Sequence, residues 1–313
     1  MMKSPVTVSI VVPVYGVERF IAEFAESAFS QTYPYIEYIF VNDGTKDKSI
    51  EVLNSVIDDK YSHLRDRIHI INKQNGGLPA ARRTGLEHAT GDYIWHVDPD
   101  DWLETDAVES IVGRIDETGA DIVYFNLVKE YQGKSKIKRD KWHADDAQAE
   151  YIWDMFNHRS FGSVCNKCIR KALYDNEKVI FAEYSYAEDT FLTSQLVGYS
   201  RKISFLDKPL YHYRKTNPNS ITRQNLKKRH REYALNFMRL YDNYRDVPVE
   251  QSPISSIYDE ILIKLGWYSI LYGVNLYKDH DYLAGDIRKA RINPKADVNI
   301  LGQVLAKLSA YLK

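Results

Sequence analysis

Apolar residues fall into two alternating periods over the first hundred positions of this chain. Short runs rich in β-branched residues, Val6 to Val12, Ile36 to Val41, Ile68 to Ile71 and Tyr93 to Val97, predict buried strands. Between them, Val17 to Gln31, Lys46 to Asp58 and Ala80 to His88 space their apolar residues at three and four positions, which predicts helices. Pro13 closes the first strand, Tyr15-Gly16 turns the chain, and Tyr33-Pro34 stops the first helix. Strand and helix in strict alternation imply a mostly parallel sheet with helices on both faces, an α/β fold.

After Trp102 the alternation weakens. Trp102-Leu103 reads as the opening of a helix, Ala107 to Glu117 as a helix and Ile122 to Glu130 as a strand. Lys134 to Lys141 is a basic excursion with the character of a hairpin or loop, and Asp145 to Phe156 is helical. Glu188 and Asp189 stand at the head of an apolar helix, Thr190 to Gly198. Two short strands follow, Lys202 to Phe205 and Pro209 to Tyr213, and then the polar stretch Arg214 to Ser220. From Leu226 onward the pattern is almost wholly helical. The expected division is therefore a domain over 1–225, in two halves of about 5–101 and about 102–225, and a helical C-terminal region over 226–313.

The polar residues gather where the predicted strands end. Asn42-Asp43-Gly44-Thr45 follows the second strand, Asn75-Gly76-Gly77 and Arg82 follow the third, and Asp98-Pro99-Asp100-Asp101 follows the fourth. In open α/β sheets this edge is where ligands bind. Three carboxylates within four residues repel one another unless a cation shares them, and a hard divalent ion such as Mg²⁺ or Mn²⁺ takes such oxygen ligands. The alternative is a solvated acidic turn that caps a helix. With glycines for close backbone approach, the set suits a nucleotide diphosphate. Neither a Gly-x-Gly-x-x-Gly fingerprint nor a Walker loop follows the first strand, which disfavours nicotinamide chemistry and P-loop phosphoryl transfer.

Composition narrows the class further. With 44% hydrophobic and 27% charged residues and a formal net charge of −1, the chain has the profile of a soluble globular protein, and no nucleic-acid partner is expected. No apolar run approaches the roughly 18 residues of a membrane span, and the first residues lack the apolar core of a leader, so a cytoplasmic protein is expected. Cys165 and Cys168 form half of a zinc site with no second half. They are expected to be small buried residues rather than a redox pair. The 24 tyrosines suit carbohydrate contacts and cores alike.

Val11-Val12-Pro13-Val14-Tyr15, Val41-Asn42-Asp43-Gly44-Thr45, Asn75-x-Gly77-x-x-x-Ala81-Arg82, Gly91-Asp92-Tyr93-Ile94 and Asp98-Pro99-Asp100-Asp101 occur in an order that resembles glycosyltransferase family 2. Ala187-Glu188-Asp189 and Tyr211-His212-Tyr213-Arg214 extend the likeness to about residue 225. The resemblance implies a GT-A fold and an inverting, metal-dependent transfer of sugar from a nucleotide sugar, with UDP the expected nucleotide. It implies that Pro13, Tyr15, Asp43, Asn75, Gly77, Arg82 and Asp98 hold the donor, with Asp43 on the base and Asp98 on the ribose or metal shell. Asp100 would hold Mn²⁺ or Mg²⁺, His212 would approach metal or diphosphate, and Asp189 would be the catalytic base. Trp102, Glu188, Arg214 and Ser220 are candidates for acceptor or phosphate contacts. The expected acceptor is a glycan or a lipid-linked hydroxyl in surface polysaccharide synthesis. The basic, amphipathic start of the C-terminal region, Leu226 to Tyr241, would either touch the inner face of the membrane or pack on protein, including a second copy. A nucleotidyltransferase and a non-catalytic sugar-nucleotide-binding scaffold are the alternatives.

Overall fold

The structure, a computed structural model, describes residues 4–218, 220–223, 225–272, 276, 280 and 282–310. The chain clusters into two compact units that interleave in sequence. One comprises 1–147, 163–179 and 200–218, and the other 148–162, 180–199 and 219–313. The second unit thus takes two segments from before residue 225 as well as the C-terminal helices. Parts of the predicted helical tail (273–275, 277–279, 281 and 311–313) lie outside the described residues, as do Met1 to Lys3 at the start.

The first unit opens with β1 (Val8–Val14), α1 (Ile21–Phe29), β2 (Ile36–Asn42), α2 (Ser49–Lys60), β3 (Ile68–Asn72), α3 (Leu78–His88) and β4 (Tyr93–His96). β1 is buried along its whole length and pairs in parallel with both β2 and β4, while β3 pairs in parallel with β2. Burial on both faces is why β1, β2 and β4 read as near-continuous apolar runs, while β3 at the sheet edge is only part-buried. Next come β5 (Trp102–Leu103), α4 (Ala107–Thr118), β6 (Ile122–Tyr131) and β7 (Lys134–Lys138). After α5 (Gln148–Phe156), which belongs to the other unit, the first unit resumes with β8 (Lys167–Arg170) and α6 (Lys171–Tyr174). Beyond α7 (Glu188–Tyr199), again in the other unit, it ends with β9 (Ile203–Arg214). The sheet order is β3-β2-β1-β4-β8-β6-β9-β5, with β7 on β6. β8 runs antiparallel to β4 and β6, whereas β6 and β9 are parallel.

Two local expectations change, and a third is narrowed to one of its two expected forms. Trp102-Leu103 does not open a helix; it pairs antiparallel with Tyr211 and His212 of β9, because a distant strand supplies its hydrogen bonds. Lys134 to Lys138 is the second strand of a hairpin. The two strands predicted over Lys202–Tyr213 are one strand, whose register against β6 shifts around Asn126. Cys165 and Cys168 are buried free thiols whose pKa burial raises, so neither is a ready thiolate.

The second unit holds α5, α7, α8 (Leu226–Tyr244), α9 (Tyr258–Tyr272), α10 (Leu283–Lys289) and α11 (Ile300–Ser309). Its core is aromatic: Tyr233 and Phe237 of α8 lie 4.4 Å apart by ring centroids, and Phe237 meets Phe156 and Phe191 edge-on. Lys264 is buried in this unit, its amine donating to the Phe156 carbonyl at 2.7 Å and lying 4.4 Å over the Phe156 ring. Burial lowers its pKa to about 8.

Candidate functional site

The loop after β2 and the loop before α3 meet on Asp43. This buried carboxylate accepts from the backbone N–H groups of Gly76 and Gly77, each at 2.9 Å, and from the Lys73 amine at 2.7 Å. Asn75 donates to the Asp43 carbonyl at 2.9 Å. Gly44 has φ +67° and its Cα faces the Asn75 nitrogen so closely that an added Cβ would lie 2.9 Å from it. Gly77, with φ +83°, turns the chain into α3, whose second residue is Pro79. Pro13 is buried near the end of β1, and Tyr15 just beyond it is exposed.

Arg82 of α3 is buried and donates to Asp98 at 2.6 Å. The rest of the acid turn is held from β9. The Tyr211 hydroxyl donates to Asp101 at 2.5 Å and accepts from the Asp98 N–H at 3.1 Å. The Arg214 N–H donates to Asp101 at 2.7 Å, and its guanidinium donates to the Asp100 carbonyl at 2.7 Å and to Glu23 at 2.5 Å. That guanidinium stacks over Trp102 and Phe20. The Asn217 amide donates to the Asp100 carboxylate at 2.7 Å. Burial, followed by the neighbouring Asp98 charge, raises the Asp100 pKa; burial holds Asp101 well above the carboxylate range, with Asp100 and Asp98 adding to it. Such a site favours a cation. Asp98 and Asp100 therefore fit a hard divalent ion in oxygen chemistry, with Arg82 already offsetting part of the Asp98 charge, while Asp101 is occupied as a structural acceptor.

His212 stacks on Trp102 at 5.0 Å and 11°. Its Nδ1 lies 2.8 Å from Glu130 and its Nε2 2.8 Å from Glu104, so both ring nitrogens face carboxylates. His96, at the end of β4, was not singled out from sequence. It is fully buried, neither ring nitrogen has a hydrogen-bond partner among the described residues, and burial, with the Arg82 charge, pushes its pKa down to about 3.

In the second unit, Glu188 and Asp189 begin α7, Glu188 buried and Asp189 half-buried. Asp189 accepts from the Thr190 N–H at 2.8 Å. Ala187 before them adopts φ +60°, a left-handed conformation that strains an alanine, and its carbonyl accepts from Phe191 at 3.0 Å. α8 holds the approach to this turn: Asn236 bonds the backbone of Tyr184 and Tyr186, and Glu232 accepts from the Tyr186 N–H. Ser220 lies just before a short 3-10 turn over Ile221–Arg223.

Residues 9–179 match the description Glycosyl transferase family 2. The chain belongs to glycosyltransferase family 2. It is 32% identical over 220 residues to EpsH of Bacillus subtilis, covering 68% of this chain and 62% of that protein. It is 28% identical over 228 residues to the minor teichoic acid biosynthesis protein GgaB of the same organism, covering 70% of this chain and 24% of GgaB. The aligned part is thus less than two thirds of either relative. Among solved structures, residues 1–349 of S. aureus TarS in complex with UDP-GlcNAc superpose with a TM-score of 0.68 at 17% identity, covering 97% of this chain and 89% of that one. The family member described here therefore has the GT-A fold, a mixed, mostly parallel sheet flanked by helices, with a helical C-terminal region. No helix among the described residues is long and apolar enough to cross a membrane.

Proposed function

We propose that this protein transfers a sugar from a UDP-sugar, with inversion, to a hydroxyl of a glycan or lipid-linked acceptor in surface polysaccharide synthesis. The observation that carries the reading is the acid turn, where Asp98, Asp100 and Asp101 crowd together at the carboxyl end of β4 and burial and the Asp98 charge raise the Asp100 pKa. UDP and UDP-GlcNAc complexes of TarS and the polymer role in GgaB's name support the donor and the product class. Asp43 with Asn75 and Gly77 shapes the base end, Pro13 and Tyr15 flank it, and Arg82 sets the angle of Asp98. Mg²⁺ or Mn²⁺ bound at Asp100 and Asp98 would neutralise charge on the departing diphosphate. His212 would reach such an ion only by giving up Glu104 or Glu130, and otherwise braces Trp102. Asp189 deprotonates the acceptor hydroxyl, with Glu188 beside it and Arg214 and Ser220 as phosphate or acceptor contacts.

The same proposal covers cytoplasmic action and contact of the C-terminal helices with a membrane surface or a second copy. The exposed apolar residues Ile270 and Leu271 of α9 and Leu305 and Leu308 of α11 support that contact. UDP titration by calorimetry, with and without Mn²⁺, on wild type and Asp100→Ala tests the core of it. Metal should tighten binding for wild type alone; equal affinity in all four titrations overturns the reading.

A further inference from the structure

The basic excursion after β6 folds into an organised surface. Across the β6–β7 hairpin, Lys129 stands opposite Lys136, Leu127 opposite Lys138 and Tyr131 opposite Lys134, and across β6–β9 Lys129 stands opposite Tyr213. Directly paired residues share a face, and so do alternate residues along a strand. Lys129, Lys134, Lys136 and Lys138 therefore crowd one face of the hairpin. Lys215 joins them, its N–H continuing the ladder to the Glu130 carbonyl at 2.8 Å. Glu130, Ser135 and Ile137 point to the other face. Lys129 is half-buried, and after burial itself the charges of Lys215, Lys138 and Lys136 are what lower its pKa, so these amines feel one another. No carboxylate pairs with Lys129, Lys136 or Lys138 among the described residues. Gathering like charges without counterions costs stability, which an anion returns when it binds.

Two tyrosines break the lysine array. Lys215 lies 4.3 Å over the Tyr213 ring and Lys134 5.7 Å over the Tyr131 ring. Amines about 7 Å apart along a strand and about 5 Å across it form a lattice of point charges, and the tyrosines between them offer flat faces to sugar or polyol carbons. Lysine binds phosphate as a point charge without the forked geometry of arginine. The face carries no exposed aliphatic side chain to insert into a bilayer; Ile137 points away. The same face carries Tyr211, which stands opposite Leu127 and whose hydroxyl donates to Asp101 of the acid turn at 2.5 Å.

We propose that this lysine and tyrosine face of β6, β7 and β9 is a docking track for an anionic acceptor chain bearing one phosphodiester per repeat. The inference rests on the glycosyltransferase reading and specifies its acceptor class. The test measures binding of the full chain to a fluorescent oligo(glycerol phosphate) by anisotropy over a salt series, alongside Mn²⁺-dependent UDP binding in the same samples. The probes for comparison are a neutral maltooligosaccharide, an oligogalacturonate and phosphatidylglycerol vesicles. K136Q/K138Q should weaken oligo(glycerol phosphate) binding by about tenfold at low salt and flatten its salt dependence, as expected on losing two phosphate contacts. UDP binding should be unchanged, and K227Q/K228Q on α8 should behave as wild type. Equal oligomer binding by K136Q/K138Q and wild type overturns the track. So does binding confined to vesicles, to oligogalacturonate or to the neutral chain. If wild type fails to bind UDP with Mn²⁺ while the oligomer arm behaves as expected, the donor reading falls and the anionic track stands.

Discussion

The acid turn after β4 and the acid pair at the head of α7 both place carboxylates where an element meets a loop, but the two turns are built differently. Asp98 and Asp101 are fixed by groups far away in sequence: Arg82 on one side, Tyr211 and the Arg214 backbone on the other. Asp189 accepts from the adjacent Thr190 N–H, the backbone ahead of it is forced through a left-handed alanine, and Asn236 and Glu232 of α8 hold the residues before that alanine. Long-range bonding gives rigidity that survives the loss of any one local preference. A local turn gives precise aim from a few residues and concentrates the strain there.

The largest expected effect breaks the comparison at the helix head. Asparagine keeps a side-chain oxygen to accept from the Thr190 N–H, so Asp189→Asn separates that bond from proton transfer. Transfer should fall by about 10² to 10⁴ while UDP binding and melting temperature stay near wild type. Near-normal turnover would move the base to Glu188. The acid turn responds differently. Tyr211→Phe strips a buried hydroxyl from both Asp101 and the Asp98 N–H, and leaving such groups unpartnered should cost about 1 to 3 kcal/mol of stability, read by denaturant unfolding. A change under half a kcal/mol would mean that β9 does not brace the turn. The smallest effect sharpens the local side. Ala187→Gly removes the left-handed penalty and should raise stability by up to about 1 kcal/mol. If turnover drops as stability rises, the alanine serves to aim the acids; if both rise, it does not.

Much of the sheet was legible because β1, β2 and β4 are buried on both faces, and burial writes itself as apolar runs between Pro13, Asp43 and Asp98. The polar residues gathered at the sheet edge were legible for the same reason, since strand ends are visible as the point where those runs stop. What distant partners decide was not. Trp102-Leu103 carries the signals of a helix start, and only its pairing with Tyr211 and His212 makes it a strand. β8 hid because its four residues include a buried Lys167, whose amine is satisfied by the Ser163 carbonyl and Asn166. Helical periodicity in α5 and α7 announces a buried face without saying what covers it, so their clustering with the C-terminal helices was out of reach. The roles of Tyr211, Asn217 and Lys73 were equally hidden, since each is defined by a partner more than 25 residues away.

The register shift between β6 and β9 has a consequence for how this protein can change over time. Phe125 stands opposite Leu206, Asn126 opposite Pro209 and Leu127 opposite Tyr211, so β9 spends three more residues than β6 over that stretch. An odd surplus turns the strand over, which is what sends Tyr211 toward the acid turn and His212 toward Glu104 and Glu130. The tail of β9 is thus keyed like a reading frame. Substitutions between Leu206 and Leu210 are spelling changes, whereas loss or gain of a single residue there would exchange the two sides of the strand downstream, taking Tyr211 from Asp101 and His212 from Glu104 and Glu130.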